Sequence, residues 1–187
     1  RFRAAAMATP LFGGALSVEL HGHWLDASDV RPVPDHQEVW TERDGPRALV
    51  IELLQRVDAH DDRAVCAHFE ELSERNGALH AKLSPQVSTM GRLDQSLRAA
   101  EPAYGVHGVQ TLPDGVDLHV HLRLVRLLPQ ETDVLLSLCR PWPRGDAGAA
   151  SCEVRSEEGV VAEDAAAVDA LVRSVRVHDW HLFGETT

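Results

Sequence analysis

Three apolar stretches in close order constrain the fold more than anything else in the chain: "AYGVHGVQT" (103–111), "GVDLHVHLRLV" (115–125) and "TDVLLSLCR" (132–140). They are joined by "LPDG" and "LLPQE", both good turn spellings. In the middle stretch Val116, Leu118, Val120, Leu122 and Leu124 share one face, and Asp117, His119, His121 and Arg123 share the other. The spacing predicts an antiparallel meander. With 187 residues and an apolar fraction of 44%, one domain with a sizeable core is expected around it.

The flanks supply the remaining elements. "GGALSVEL" (Gly13–Leu20) reads as a first strand, and "WLDASDVRPVPDHQ" follows as a loop in which Asp26 and Ser28 cap a short helical turn. "EVWTE" is a short strand. "ALVIELLQ" (Ala48–Gln55) is apolar except for Glu52, as in a strand covered on both faces. A helix is predicted over 61–77, capped by Asp61 or Asp58, striped by Val65, Phe69 and Leu72, and stopped by Gly77. "GRLDQSLRAAEP" suggests a second short helix, and residues 162–175 a last one, with Val161, Ala165, Val168, Val172 and Val175 as its apolar stripe. "VRVHDWHLFG" reads as a final strand with Phe183 tucked in. The order predicts an α+β sandwich with a mostly antiparallel sheet. Residues 1–9 read as a disordered lead and 10–187 as the single domain.

Net charge is −11, which disfavours nucleic acid or an anionic membrane as partner and points to a basic one. Cys66, Cys139 and Cys152 are widely spaced, as reduced thiols are, and no apolar run reaches the roughly 20 residues of a membrane span. His119 and His121 share a strand face, one way to present two ligands to zinc; the turn register places His107 on the opposite face, which leaves them as ordinary strand histidines. His21 and His23 lie in a loop with no ligand-spaced partner. There is no nucleophile elbow, and "FGGA" lacks the spacing and lysine of a phosphate loop, so neither an enzyme nor a nucleotide-binding protein is indicated. No cofactor is expected. What stands out is "DVRPVPDHQEVW", where Pro32 and Pro34 hold Asp29, Asp35 and Glu38 in a loop with little freedom to lose on binding.

Four stretches, "PLFGGALS", "LDASDVRPVPDHQEVW", "LLPQETDVLLSL" and "VHDWHLFG", together resemble the Ran guanine nucleotide release factor (Mog) family, with the same order and spacing. The resemblance is faint across 56–110 and 141–155. It implies a three-layer αβα sandwich around a mostly antiparallel sheet, similar to a photosystem II extrinsic protein. It also implies binding to the GTPase Ran, release of its guanine nucleotide, and a part in nuclear protein import in nucleus and cytoplasm. By position, it carries the family's acidic Ran-binding patch to Asp26, Asp35, Glu38 and Glu52. Gln55 stands where several members have a second acid. Residues 52 and 55 face opposite sides of a regular strand, so one shared patch requires a strand end or bulge between them. Such a protein is a regulator without bond chemistry of its own, acting as a monomer. A link of vertebrate members to a voltage-gated sodium channel implies a second reading, a trafficking adaptor peripheral to the plasma membrane. A histidine-based metal enzyme is the remote third.

Overall fold

The computed structural model describes residues 7–91, 93, 97, 102–143 and 156–184. In chain order these form β1 (Met7–Leu11), β2 (Leu16–Leu20), β3 (Trp24–Asp26), β4 (Gln37–Glu42), β5 (Ala48–Gln55), α1 (Asp61–Arg75), β6 (His80–Leu83), β7 (Ser88–Met90), β8 (Ala103–Thr111), β9 (Val116–Leu127), β10 (Thr132–Pro143), α2 (Glu157–Ser174) and β11 (Arg176–Val177). The main sheet has eight strands in the order β3-β4-β5-β10-β9-β8-β6, with β7 also pairing β8. A small three-stranded sheet runs β1-β2-β11. Every pairing is antiparallel.

The meander β8-β9-β10 is as the alternation predicted, and β10 continues the sheet onto β5, which spans Ala48–Gln55 as expected. On one face lies α1: Val65 and Phe69 pack on Val106, Val120, Leu122 and Leu135. Phe69 comes so close to β8 that a Cβ on Gly108 would stand 2.4 Å from its ring, so only glycine admits the helix at this depth. The other face is covered by α2 and the small sheet, whose Leu16, Val18, Val168 and Val172 meet Leu49, Ile51 and Leu136. The result is the three-layer α+β sandwich.

Several local expectations need correction. Met7–Thr9, placed in the disordered lead, belong to β1 and pair with Val18–Leu20. The strand read from Gly13 begins only at Leu16, because Phe12, Gly13 and Gly14 all take positive φ (50°, 66° and 93°) and turn the chain back. His60, not Asp58 or Asp61, occupies the α1 N-cap position and makes no side-chain cap. β6 and β7 fill a region with no readable pattern. The short helix over 91–102 falls almost wholly outside the described residues. α2 starts at Glu157, five residues before the expected 162, because Ser156 caps it through Gly159 N. Its buried line runs Val160, Asp164, Val168, Leu171 and Val172, so Val161 and Ala165 lie only half inside and an acid faces the sheet. The final strand is only Arg176–Val177, followed by a 3-10 turn over Trp180–Phe183.

Burial on both faces leaves charged groups inside. Asp133 on β10 is fully buried; Oδ2 accepts from Val57 N at 3.0 Å and lies 2.9 Å from His68 Nε2, while Oδ1 accepts from Arg126 Nε at 3.0 Å. Burial alone would push the Asp133 carboxyl up, but the bonds from His68, Val57 and Arg126 together leave it below the ordinary value. Arg126 also donates to the Ala59 carbonyl at 2.7 Å and to Asp61 at 3.0 Å, so the cluster fastens the start of α1 to the sheet. Asp133→Ala would strand Arg126 without its buried partner and is expected to cost roughly 3–5 kcal/mol in a urea titration, against within about 0.5 kcal/mol for Asp35→Ala at an exposed turn.

Candidate functional site

The proline-rich loop is built by short-range bonds. Asp26 Oδ1 accepts from Ser28 N at 2.8 Å, capping a 3-10 turn over Ala27–Asp29, as the sequence predicted. The Ala27 carbonyl then accepts from Val30 N and Arg31 N at 3.1 and 3.0 Å. Past Pro32 and Pro34, Gln37 N donates to the Pro34 carbonyl at 2.8 Å, which puts Asp35 and His36 at the tip of a turn. Leu53 N donates to the His36 carbonyl at 2.9 Å and ties that tip to β5. Asp29 and Asp35 are exposed, and Val30 between them is 85% exposed, so the loop offers an apolar side chain flanked by carboxylates.

Glu38 is employed differently. Its Oε1 accepts from Phe12 N at 2.5 Å. Phe12 is a non-glycine residue at positive φ, a conformation held against its side chain's preference, and Glu38 supplies the acceptor that its displaced amide needs. Two sequence blocks, "LFGG" and "QEV", are therefore one structural unit.

Glu52 lies on the opposite face of the sheet from Glu38, since Glu38 pairs with Ile51 in register and Gln37 with Glu52. It is 1% exposed. Arg75 at the end of α1 grips it with both terminal nitrogens, Nη1 to Oε1 at 3.0 Å and Nη2 to Oε2 at 3.2 Å, and Gln37 Nε2 donates to Oε1 at 2.7 Å. The hydrogen bond to Glu52 holds the Arg75 guanidinium above its already high ordinary value. The carboxylate forms part of the wall of a cleft of about 240 Å³, with Arg31 and Gln37 on one side, Leu72 and Arg75 on the other, and Ser137 and Cys139 also lining it. Burial, with Glu52 nearby, pushes the Cys139 thiol up to about 12, so it stays protonated.

Gln55 pairs with Thr132 in a ladder that runs unbroken from Ala48, so no bulge turns it toward Glu52. It is exposed on the other face, beside a shallow groove with Leu53, Gln130, Leu182 and Phe183. The five expected residues thus divide three ways. Asp35 and Glu52 lie around the same end of the sheet, linked through Gln37. Glu38 and Gln55 face the opposite side, and Asp26 caps its own turn. The residue that sequence reasoning missed is Arg75. A buried acid in an apolar strand calls for a cation, but nothing in the spacing says which of the chain's arginines arrives.

The histidines also depart from expectation. His107 pairs with His121 in register and so shares its face. The two rings stack at 4.4 Å, and His107 Nε2 lies 3.3 Å from His119 Nδ1. The rings lie face to face rather than converging, and among the described residues no group of three or more His, Cys, Asp or Glu is placed to hold a metal ion. His121 is 1% exposed with neither ring nitrogen partnered, and burial followed by the neighbouring His107 pushes it down to about 3. His119 meets Glu157 of α2 at 3.5 Å, and Arg123 beside the cluster donates to Asp169 at 2.6 Å.

An antiparallel sheet with α1 on one face and α2 on the other, an acidic, proline-ordered loop at one end and a carboxylate cleft beside it define an α+β sandwich. The crystal structure of the Saccharomyces cerevisiae Ran-binding protein Mog1p has the same fold, with a TM-score of 0.73 at 23% identity over 96% of this chain and 99% of that one. The family model described as Ran-interacting Mog1 protein matches residues 9–141. The Ran guanine nucleotide release factor of Bos taurus is 31% identical over 94% of this chain and 95% of its own length, and that of Homo sapiens 30% over the same shares. The nuclear import protein mog1 of Schizosaccharomyces pombe is 27% identical over 92% and 98%. The chain belongs to the Ran-interacting Mog1 family.

Two outcomes follow from this geometry. Because His121 takes up a proton far less readily folded than unfolded, stability is expected to fall as pH drops from its ordinary 6.5 toward about 3. The loss should be about 2 kcal/mol at pH 5 relative to pH 7, read from denaturant midpoints, and His121→Phe should flatten it. For Glu38, the Gln variant keeps an acceptor for Phe12 N and should unfold at nearly the wild-type midpoint, whereas Glu38→Ala should lose about 1–3 kcal/mol. Equal midpoints for the two would mean that Phe12 does not depend on Glu38.

Proposed function

We propose that this chain binds Ran and promotes release of its bound guanine nucleotide, in support of nuclear protein import, and that it works in the nucleus and cytoplasm. The observation that carries the reading is the 31% identity, end to end, with a relative named for that activity, together with the match to a family described as Ran-interacting.

The geometry supplies a physical route. A GTPase holds its nucleotide with a phosphate-loop lysine and Mg²⁺, both cationic. A protein of net charge −11 that presents Asp29 and Asp35 on a loop ordered by prolines is attracted to such a surface, and little loop entropy is lost on docking. Val30 gives the same loop an apolar anchor. If the contact favours Ran without nucleotide, linkage requires that nucleotide binding weaken by the same factor. The proposed action needs no covalent step. Asp26 serves the surface indirectly through its cap, Glu38 through Phe12, and Glu52 and Gln55 from opposite faces.

The test is release of a fluorescent GTP analogue from Ran at increasing concentrations of this protein. Release should accelerate, and Asp35→Lys, at an exposed turn, should reduce the acceleration by roughly tenfold at low salt with a smaller effect at high salt. Ran binding without acceleration would leave a Ran-binding module with no release activity.

A further inference from the structure

Glu52 has the form of an occupied binding site. Its carboxylate is buried, forms part of the wall of a cleft of about 240 Å³, and is held end-on by a guanidinium whose own side chain is 37% exposed. Arg75, itself a lining residue of the cleft, reaches it from the last turn of α1 rather than from the sheet. The cleft is therefore already filled, at its acidic end, by the kind of group that an acidic cleft attracts from a partner.

Arg75 also has somewhere else to go. Glu71 stands one turn earlier on the exposed side of α1, in the Glu-to-Arg i, i+4 arrangement that favours pairing on a helix surface. Moving the guanidinium from Glu52 to Glu71 exchanges one carboxylate for another, while Gln37 keeps a hydrogen bond on Glu52. An incoming arginine or lysine head would then meet a desolvated carboxylate with Gln37 and Ser137 beside it, and Ser137 Oγ is buried with no hydrogen-bond partner. Apolar Val39, Val50 and Leu72 line the path and suit the methylene stem of such a side chain.

We propose that Arg75 is an internal ligand of this cleft, occupying Glu52 in place of a cationic side chain of the GTPase, so that docking is an exchange of one cation for another. This rests on the reading that Ran is the partner. The exchange lowers the apparent affinity by the fraction of molecules in which the cleft is open, and it makes binding depend on Arg75 in the direction opposite to that of a contact residue. A surface arginine that touched the partner would weaken binding when removed; an internal competitor strengthens it.

The experiment measures Ran affinity by calorimetry for the wild type, Arg75→Leu, Arg75→Lys and the double variant Arg75→Leu with Glu52→Gln. Arg75→Lys keeps a charge opposite Glu52 but loses the two-pronged grip, so it remains informative if Arg75→Leu fails to fold. A gain of about fivefold or more in either single variant, abolished in the double variant, supports the exchange. Unchanged or weaker binding by a folded Arg75 variant, with the wild type binding Ran, overturns the exchange and leaves the Ran reading standing. A gain that survives in the double variant also overturns it, because Glu52 is then not the group released. Absence of binding by the wild type and both single variants overturns the exchange and the Ran reading together.

Discussion

A sheet covered on both faces has no wet side, and that constraint decides where every charged residue of its central strands must end. Burial of an unpaired charge is far more costly than a buried hydrogen-bonded pair, so each such residue has to find a counter-charge inside the fold. Glu52 takes Arg75, Asp133 takes Arg126 and His68, and Asp164 of α2 takes Arg140 and Arg47 at 2.5 and 3.4 Å. Apart from Arg126–Asp133, which joins neighbouring strands, these pairs run from a helix to the sheet or to a loop. They therefore fix where the two covering layers sit, while the area buried by Phe69, Leu122, Leu136 and Val168 supplies the main favourable energy.

The two faces use this constraint differently. Under α1 the polar groups form separate pairs, Asp133 with Arg126 and mid-helix His68, and Glu52 with Arg75 at the last turn, beside an apolar cluster of Val65, Phe69 and Leu122. Under α2 the polar groups lie within the interface itself: His119, His121 and Arg123 of β9 face a helix that turns Asp164 and Asp169 toward them. The first arrangement tolerates rearrangement at its edge, since Arg75 is partly solvated. The second depends on the His121 imidazole remaining neutral, because charging it where neither nitrogen has a partner offsets favourable packing around it.

The sequence was legible where period and punctuation agreed. β5, β8, β9 and β10 alternate or run apolar between clear turn residues, and α1 carries an i, i+4, i+7 stripe ending at Gly77, whose φ of 63° is the left-handed stop it was read to be. Of the small sheet, β2 and β11 were legible as strands but β1 was not, because it is short and owes its strand geometry to pairing with β2. The stripe read for α2 holds at Val168, Val172 and Val175, but its first turns bury Val160 and Asp164 rather than Val161 and Ala165, because Asp164 has Arg140 and Arg47 as partners. His107 was placed on the wrong face because the turn between β8 and β9 pairs Thr111 with Asp117, a register that the "LPDG" spelling does not fix by one residue. The separation of Glu52 from Gln55 follows from strand alternation alone, whereas that of Glu52 from Glu38 becomes visible only with the register of β4 on β5.

That separation changes what an acidic surface means here. If the carboxylates formed one open patch, affinity would come from long-range attraction and fade uniformly with salt. Instead the exposed acids, Asp29 and Asp35, sit on a loop whose far end, Gln37, holds the buried Glu52. On the proposed reading, the exposed pair sets how often a basic surface arrives, which salt screens. On the same reading, the buried carboxylate sets whether one particular cation can remain, which depends on geometry and on Arg75 giving way. On that reading encounter and retention fall to different residues, Asp29 and Asp35 on the loop and Glu52 on β5, which Gln37 at the end of the loop reaches.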